Sequence, residues 1–116
     1  MLFMDLHGHS RQRNAFTYGN NYRLSPELTR LFPYLLSRYE SEIFKYPKCK
    51  FGATRDKEST ARVVFWRMLK IPSVYTLETS LCGGDDPQMA HFSMENLEKL
   101  GRGVCRTILC YQNLRK

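Results

Sequence analysis

Ser73-Val-Tyr-Thr-Leu-Glu-Thr-Ser-Leu81 is the stretch from which the rest of the chain can be read. It is rich in β-branched and aromatic residues, which suit a pleated surface, so it is predicted as a strand. Alternation puts Val74, Thr76, Glu78 and Ser80 on one face, and Tyr75, Leu77, Thr79 and Leu81 on the other. Glutamate is depleted in strands. Glu78 is therefore either a solvent-facing residue or one kept for its chemistry. Upstream, Ser59 or Thr60 can cap a helix that runs to Lys70 and is stopped by Pro72. Ala61, Val64, Phe65 and Met68 would share its buried face. Downstream, Gly83-Gly-Asp-Asp-Pro87 reads as a loop.

Further out, the pattern keeps alternating between strand and helix. Leu2-Phe-Met-Asp-Leu6 is a nearly continuous apolar run, predicted as a strand buried on both faces and broken by Gly8. Phe16-Thr-Tyr18 is a short strand closed by the turn Gly19-Asn-Asn21. Ser25-Pro-Glu27 opens a helix whose stripe is Leu28, Leu31, Phe32, Leu35, Leu36 and Tyr39, with Pro33 expected to kink or split it. Residues 48–53 form another short strand candidate. Ser93 caps a last helix with Met94, Leu97, Leu100, Val104, Ile108 and Tyr111 on one stripe. Gly101 and Gly103 weaken that helix locally or admit a close neighbour. Short strands alternating with helices predict an α/β layered domain.

At 116 residues the chain has room for one modest core and no second domain. With 42% hydrophobic and 25% charged residues it is neither disordered nor low-complexity. Its longest apolar stretches, such as Leu31–Leu36, are far short of a membrane span, and no secretory leader is expected at Met1–Met4. Cys49, Cys82, Cys105 and Cys110 lack C-x-x-C spacing and read as reduced thiols, with Cys105 and Cys110 expected in the core. The net charge of +7 favours polyanionic partners. The basic residues are scattered and no nucleic-acid signature accompanies them. They read as a solvated surface, and nucleic acid is not an expected partner.

The other chemistry-bearing cluster is Asp5-Leu-His-Gly-His-Ser10. Open α/β sheets place ligands beyond the carboxyl ends of their strands. His7 is there either a loop histidine held by hydrogen bonds or a metal ligand. A many-histidine metal site is excluded, because only His91 remains besides His7 and His9. No phosphate-binding glycine loop is present.

Three spaced motifs, in order, resemble those of a known family. Asp5-Leu-His-Gly-His-Ser-Arg-Gln-Arg-Asn-Ala-Phe-Thr-Tyr-Gly19 resembles the D-x-H-G-H-S-R-x-x-N-x-F-x-Y-G segment of cytosolic carboxypeptidases, zinc enzymes that trim glutamates from tubulin. Lys57-Glu-Ser-Thr-Ala-Arg-Val-Val-Phe-Trp-Arg67 and Ser73–Gly83 continue the likeness, as does the closing Leu97-x-x-Leu-Gly101 with Cys105. It runs through essentially the whole chain.

The resemblance implies a portion of a mixed β-sheet flanked by helices, with residues 1–116 the C-terminal part of a zinc carboxypeptidase catalytic domain. It implies His7 as a zinc ligand and Glu78 as the general base that takes the proton of the attacking water. His9 is expected in the following loop, turned away from His7 by Gly8. Arg62 falls where the pocket for the departing side chain is expected. It reads either as a guanidinium for a glutamate side chain or as a helix-surface charge. The implied partners are acidic protein tails such as tubulin's, and the implied location is cytoplasmic, with cytoskeletal or ciliary association. The family's H-x-x-E ligand pair has no counterpart here, since Ser10, Gln12 and Met94 follow the histidines at that spacing. The isolated chain is thus expected to be an inactive C-terminal portion. The alternative is a non-catalytic basic module for acidic tails or nucleic acid.

Overall fold

The computed structural model describes residues 1–53 and 55–115. Strands β1 (Phe3–His9), β2 (Ala15–Gly19), β3 (Lys50–Phe51) and β4 (Val74–Ser80) form a sheet in the order β1-β4-β2-β3. β4 is parallel to β1 and antiparallel to β2, and β3 is parallel to β2, so the sheet is mixed as expected. Helices α1 (Glu27–Tyr39) and α3 (Met94–Leu114) cover one face, where Phe32 stacks on Tyr75 and meets Tyr111 edge-on. Helix α2 (Ala61–Leu69) covers the amino end of the other face, with Phe65 against Phe3.

The core lies between the sheet and the helix pair. Ala15, Tyr75 and Leu77 from the strands meet Phe32, Leu36, Leu100 and Tyr111 from the helices. Burying each of the leucine and phenylalanine side chains contributes roughly 1.5–3 kcal/mol. α3 starts with the predicted cap: Ser93 and Asn96 each bond the other's backbone N–H, a reciprocal box that stabilises the first turn.

Pro33 lies inside α1 without splitting it. A proline removes the N–H that would reach the carbonyl four residues back. Here that carbonyl belongs to Thr29, and the buried Tyr75 hydroxyl donates to it at 2.7 Å. The tertiary bond replaces the missing helical one, a contact that sequence periodicity does not report.

Other expectations need correction. β1 does not stop before Gly8. It stays in parallel register with β4 from Phe3↔Val74 to His9↔Ser80. A Cβ at residue 8 would press on Leu81 at 3.2 Å, so glycine here admits a neighbouring side chain rather than turning the chain. Nor is β1 buried on both faces: it is the sheet's edge, and Leu6 is largely exposed. The strand at residues 48–53 shrinks to Lys50–Phe51 behind a 3-10 turn at Tyr46–Lys48. α2 buries Arg62 and Val63, whereas Met68 is exposed, so its buried face is rotated from the predicted one. Cys105 is exposed and Cys110 half-buried, and all four cysteines are free thiols. On α3, Met94 is exposed at the end of the stripe, while Leu100 and Tyr111 are buried as expected. No helix among the described residues is long and apolar enough to cross a membrane.

Candidate active site

The parallel pairing of β1 with β4 builds the site. His7 lies opposite Glu78, Asp5 opposite Thr76, and His9 opposite Ser80. On the other side of β4, Phe16 lies opposite Glu78 and Tyr18 opposite Thr76. In-register partners share a face, so Asp5, His7, His9, Phe16, Tyr18 and Glu78 gather on the sheet face opposite α1 and α3.

Glu78 is buried, because β4 is an interior strand. Its Oε1 lies 4.0 Å from His7 Nδ1, and its Oε2 lies 3.6 Å from His9 Nδ1. Of the two readings left open for Glu78, the solvent-facing one is excluded. His7 is half-exposed, and its Nε2 meets the Asp5 carboxylate at 2.9 Å. His9 continues on the same face instead of turning away, because the strand runs through Gly8.

The loops beyond these strands are tied together. Asn14, at φ 67°, donates its N–H to the Gly83 carbonyl at 2.8 Å and accepts from Ser80 N–H at 3.0 Å. Gly83 has φ 89°, and a Cβ there would overlap the Ala90 carbonyl, so the turn requires glycine. The Lys48 ammonium joins both loops, donating to Asn14 Oδ1 at 3.0 Å and Asp85 Oδ2 at 2.8 Å. That bond holds the Asp85 carboxyl below its ordinary range.

Arg62 is not a helix-surface charge. It is buried, and one guanidinium nitrogen donates to the carbonyls of Gly19 at 2.6 Å and Gly52 at 2.8 Å and to Asn20 Oδ1 at 3.3 Å. Burial lowers its pKa. It also lines an open cavity with Tyr18, Lys50, Phe51 and Lys57. Tyr18 brings the cavity to the sheet face that carries Glu78. Lys57 Nζ lies 5.3 Å and Arg62 Cζ 5.8 Å from its ring centre. Burial first, then the Glu78 carboxylate, push the Tyr18 hydroxyl up. Lys50, Lys57 and Arg62 bring three cationic side chains to the cavity wall.

The donor chemistry at His7 suits a metal ligand. Histidine ligands commonly present their second nitrogen to a carboxylate, and Asp5 supplies one, leaving Nδ1 free on the Glu78 side. A catalytic zinc takes three protein ligands. Among the described residues no three His, Cys, Asp or Glu side chains converge as a metal site. His7 thus fits as one ligand of a larger set. Asp5, Tyr18 and Lys57 carried no role in the sequence reading. The D-x-H spacing signalled Asp5, since residues two apart on a strand share a face. Nothing local signalled Lys57, which reaches Tyr18 only through the fold.

A metallo-carboxypeptidase structure from Burkholderia cenocepacia superposes with a TM-score of 0.82, covering 99% of this chain and 31% of that one at 16% identity. The fold is therefore of that type. In sequence, the homologues of this chain are cytosolic carboxypeptidases, matched over nearly its whole length. Cytosolic carboxypeptidase 2 of Macaca fascicularis is 41% identical over 94% of this chain, and cytosolic carboxypeptidase 3 of Mus musculus is 37% identical over 96%. The chain spans 13% and 12% of those relatives' lengths. No family model matches it.

Proposed function

We propose that these residues form the general-base half of a zinc carboxypeptidase active site that removes glutamates from acidic protein tails such as tubulin's, in the cytoplasm. The single observation that carries this is the register His7↔Glu78 on adjacent parallel strands. It sets a half-exposed imidazole and a buried carboxylate side by side at the carboxyl ends of the sheet.

In this reading His7 is one zinc ligand and Asp5 orients it. Zinc, when bound, supplies Lewis acidity toward the scissile carbonyl and makes water easier to deprotonate. Glu78 takes the proton of the attacking water on a carboxylate oxygen and delivers it to the leaving amine. Burial of Glu78 keeps bulk water from competing for that proton. The cavity at Tyr18, Lys50, Lys57 and Arg62 receives the side chain of the departing residue. Three cations there favour glutamate over neutral residues.

The test is a chimera of macaque cytosolic carboxypeptidase 2 in which this chain replaces the aligned segment. It should bind zinc and release glutamate from a glutamate-ended peptide. Glu78→Gln keeps the shape and removes the base. Turnover should fall on the order of 10²–10⁴-fold with peptide binding retained. Turnover within a few-fold of the parent chimera would contradict the assignment. A second reading applies to the 116 residues alone. With no three-ligand cluster among the described residues, they should carry sub-stoichiometric zinc and act as a basic binding module.

A further inference from the structure

We propose that His9 is a positioning residue for Glu78: its Nδ1–H holds Oε2 of the carboxylate, so that Oε1, on the His7 side, is the oxygen left to take the proton. This rests on Glu78 being the base.

The argument begins with how little freedom the His9 ring has. Its backbone is fixed by strand pairing, with the His9 carbonyl accepting from Leu81 N–H at 2.8 Å. Its ring meets Phe16 edge-on, with centroids 5.0 Å apart and planes at 86°. Phe16 is fully buried and lies opposite Glu78 in the β2–β4 pairing, so the same aromatic ring flanks both residues. Only 15% of the His9 side chain is exposed.

The two ring nitrogens then face unlike surroundings. Nε2 is buried with no partner, and Nδ1 looks at Glu78 Oε2 from 3.6 Å. A neutral imidazole has one N–H. Placed on Nε2, that proton would be a buried unpaired donor, and the Nδ1 lone pair would face a carboxylate oxygen. Placed on Nδ1, it points at its acceptor. The second arrangement removes both and leaves only an unpaired Nε2 acceptor. The present separation exceeds a formed hydrogen bond, and a shift of a few tenths of an ångström closes it. Catalytic contacts commonly tighten in this way when substrate arrives.

The consequence is an asymmetric carboxylate. Once that gap closes, Oε2 is held by His9. Oε1, 4.0 Å from His7 Nδ1, stays available on the side where His7 would hold the metal. His9 thus orients the base without touching metal or substrate.

The direct test is ¹⁵N NMR of the histidine-labelled protein at pH 8, where a free imidazole is neutral. His9 should be in the Nδ1–H tautomer, and Glu78→Ala should remove that preference. An Nε2–H tautomer, or an Nδ1–H preference unchanged in Glu78→Ala, would overturn the proposal. In the chimera, His9→Ala should keep stoichiometric zinc and an unchanged KM while kcat falls on the order of tenfold. His9→Asn, whose amide can donate from near the Nδ1 position, should restore most of that loss. An unchanged kcat in His9→Ala, or no rescue by asparagine, also overturns it. Collapse of turnover in Glu78→Gln alongside either failure would sink this inference alone. Full turnover in Glu78→Gln would sink the base assignment instead.

Discussion

Glu78 and Glu40 are about equally buried, at 6% and 5% exposure, one on the central strand β4 and the other at the end of α1. Glu78 stands on an interior strand, and each of its oxygens faces an imidazole. Glu40 ends α1 and is pressed against α3, where its Oε2 is buried without a partner. Burial pushes the Glu40 carboxyl up, only partly opposed by Lys99, Arg106 and Arg102. One carboxylate is buried among groups that can pass protons. The other is buried because two helices cross there. Depth alone does not separate the two carboxylates; what faces each of them does.

Arg62 is a third buried charge, and it tests where that line falls. Its guanidinium satisfies two backbone carbonyls and the Asn20 side chain. Arg62→Met would leave those acceptors unpaired. It should cost about 3 kcal/mol in urea unfolding, whereas Glu78→Gln should cost well under that. If Arg62→Met unfolds at the parent midpoint, Arg62 belongs with Glu78 as a group kept for substrate alone.

The helix crossing gives the next largest effect. A Cβ at residue 103 would overlap the Glu40 Cγ. Gly103→Ala should therefore destabilise by about 2 kcal/mol despite alanine's better helix propensity. A neutral or stabilising result would mean that the crossing does not depend on this approach.

The smallest effect is also the most specific. The folded-state pKa of Glu40 is raised, so the native protein holds its proton to higher pH than the unfolded chain does. Stability contributed by this residue is therefore present in acid and lost as pH rises through the raised value. Glu40→Gln should leave stability near parent at pH 4 and gain about 1 kcal/mol at pH 7. A loss at pH 7 would show that the carboxylate is paired after all, erasing the contrast with Glu78.

The central strand, the capped α3 and the mixed sheet were legible in the sequence because each carries a local signal: β-rich alternation, Ser93 as a cap, and short strands between helices. Alternation alone left Glu78 either solvent-facing or functional; its burial emerges only once β4 lies between β1 and β2. What failed depended on distant partners. Pro33 keeps its helix because Tyr75 supplies a donor from the sheet. Gly8 stays in a strand because β4 continues beside it. The buried face of α2 turned toward Arg62 because oxygens of Gly19, Asn20 and Gly52, brought together by the fold, converge on its guanidinium. Periodicity counts apolar residues and cannot weigh a buried charge that is fully satisfied.

The claim that β1 and β4 together present a metal-side histidine and a separate positioning histidine is tested most directly by metal content. Zinc is measured in the chimera, in its His7→Ala variant and in its His9→Ala variant, purified side by side. His7→Ala should lose the metal and all turnover together, and His9→Ala should keep stoichiometric metal. If His9→Ala loses zinc while His7→Ala retains it, the roles of the two histidines are reversed and the assignment of the site falls with them.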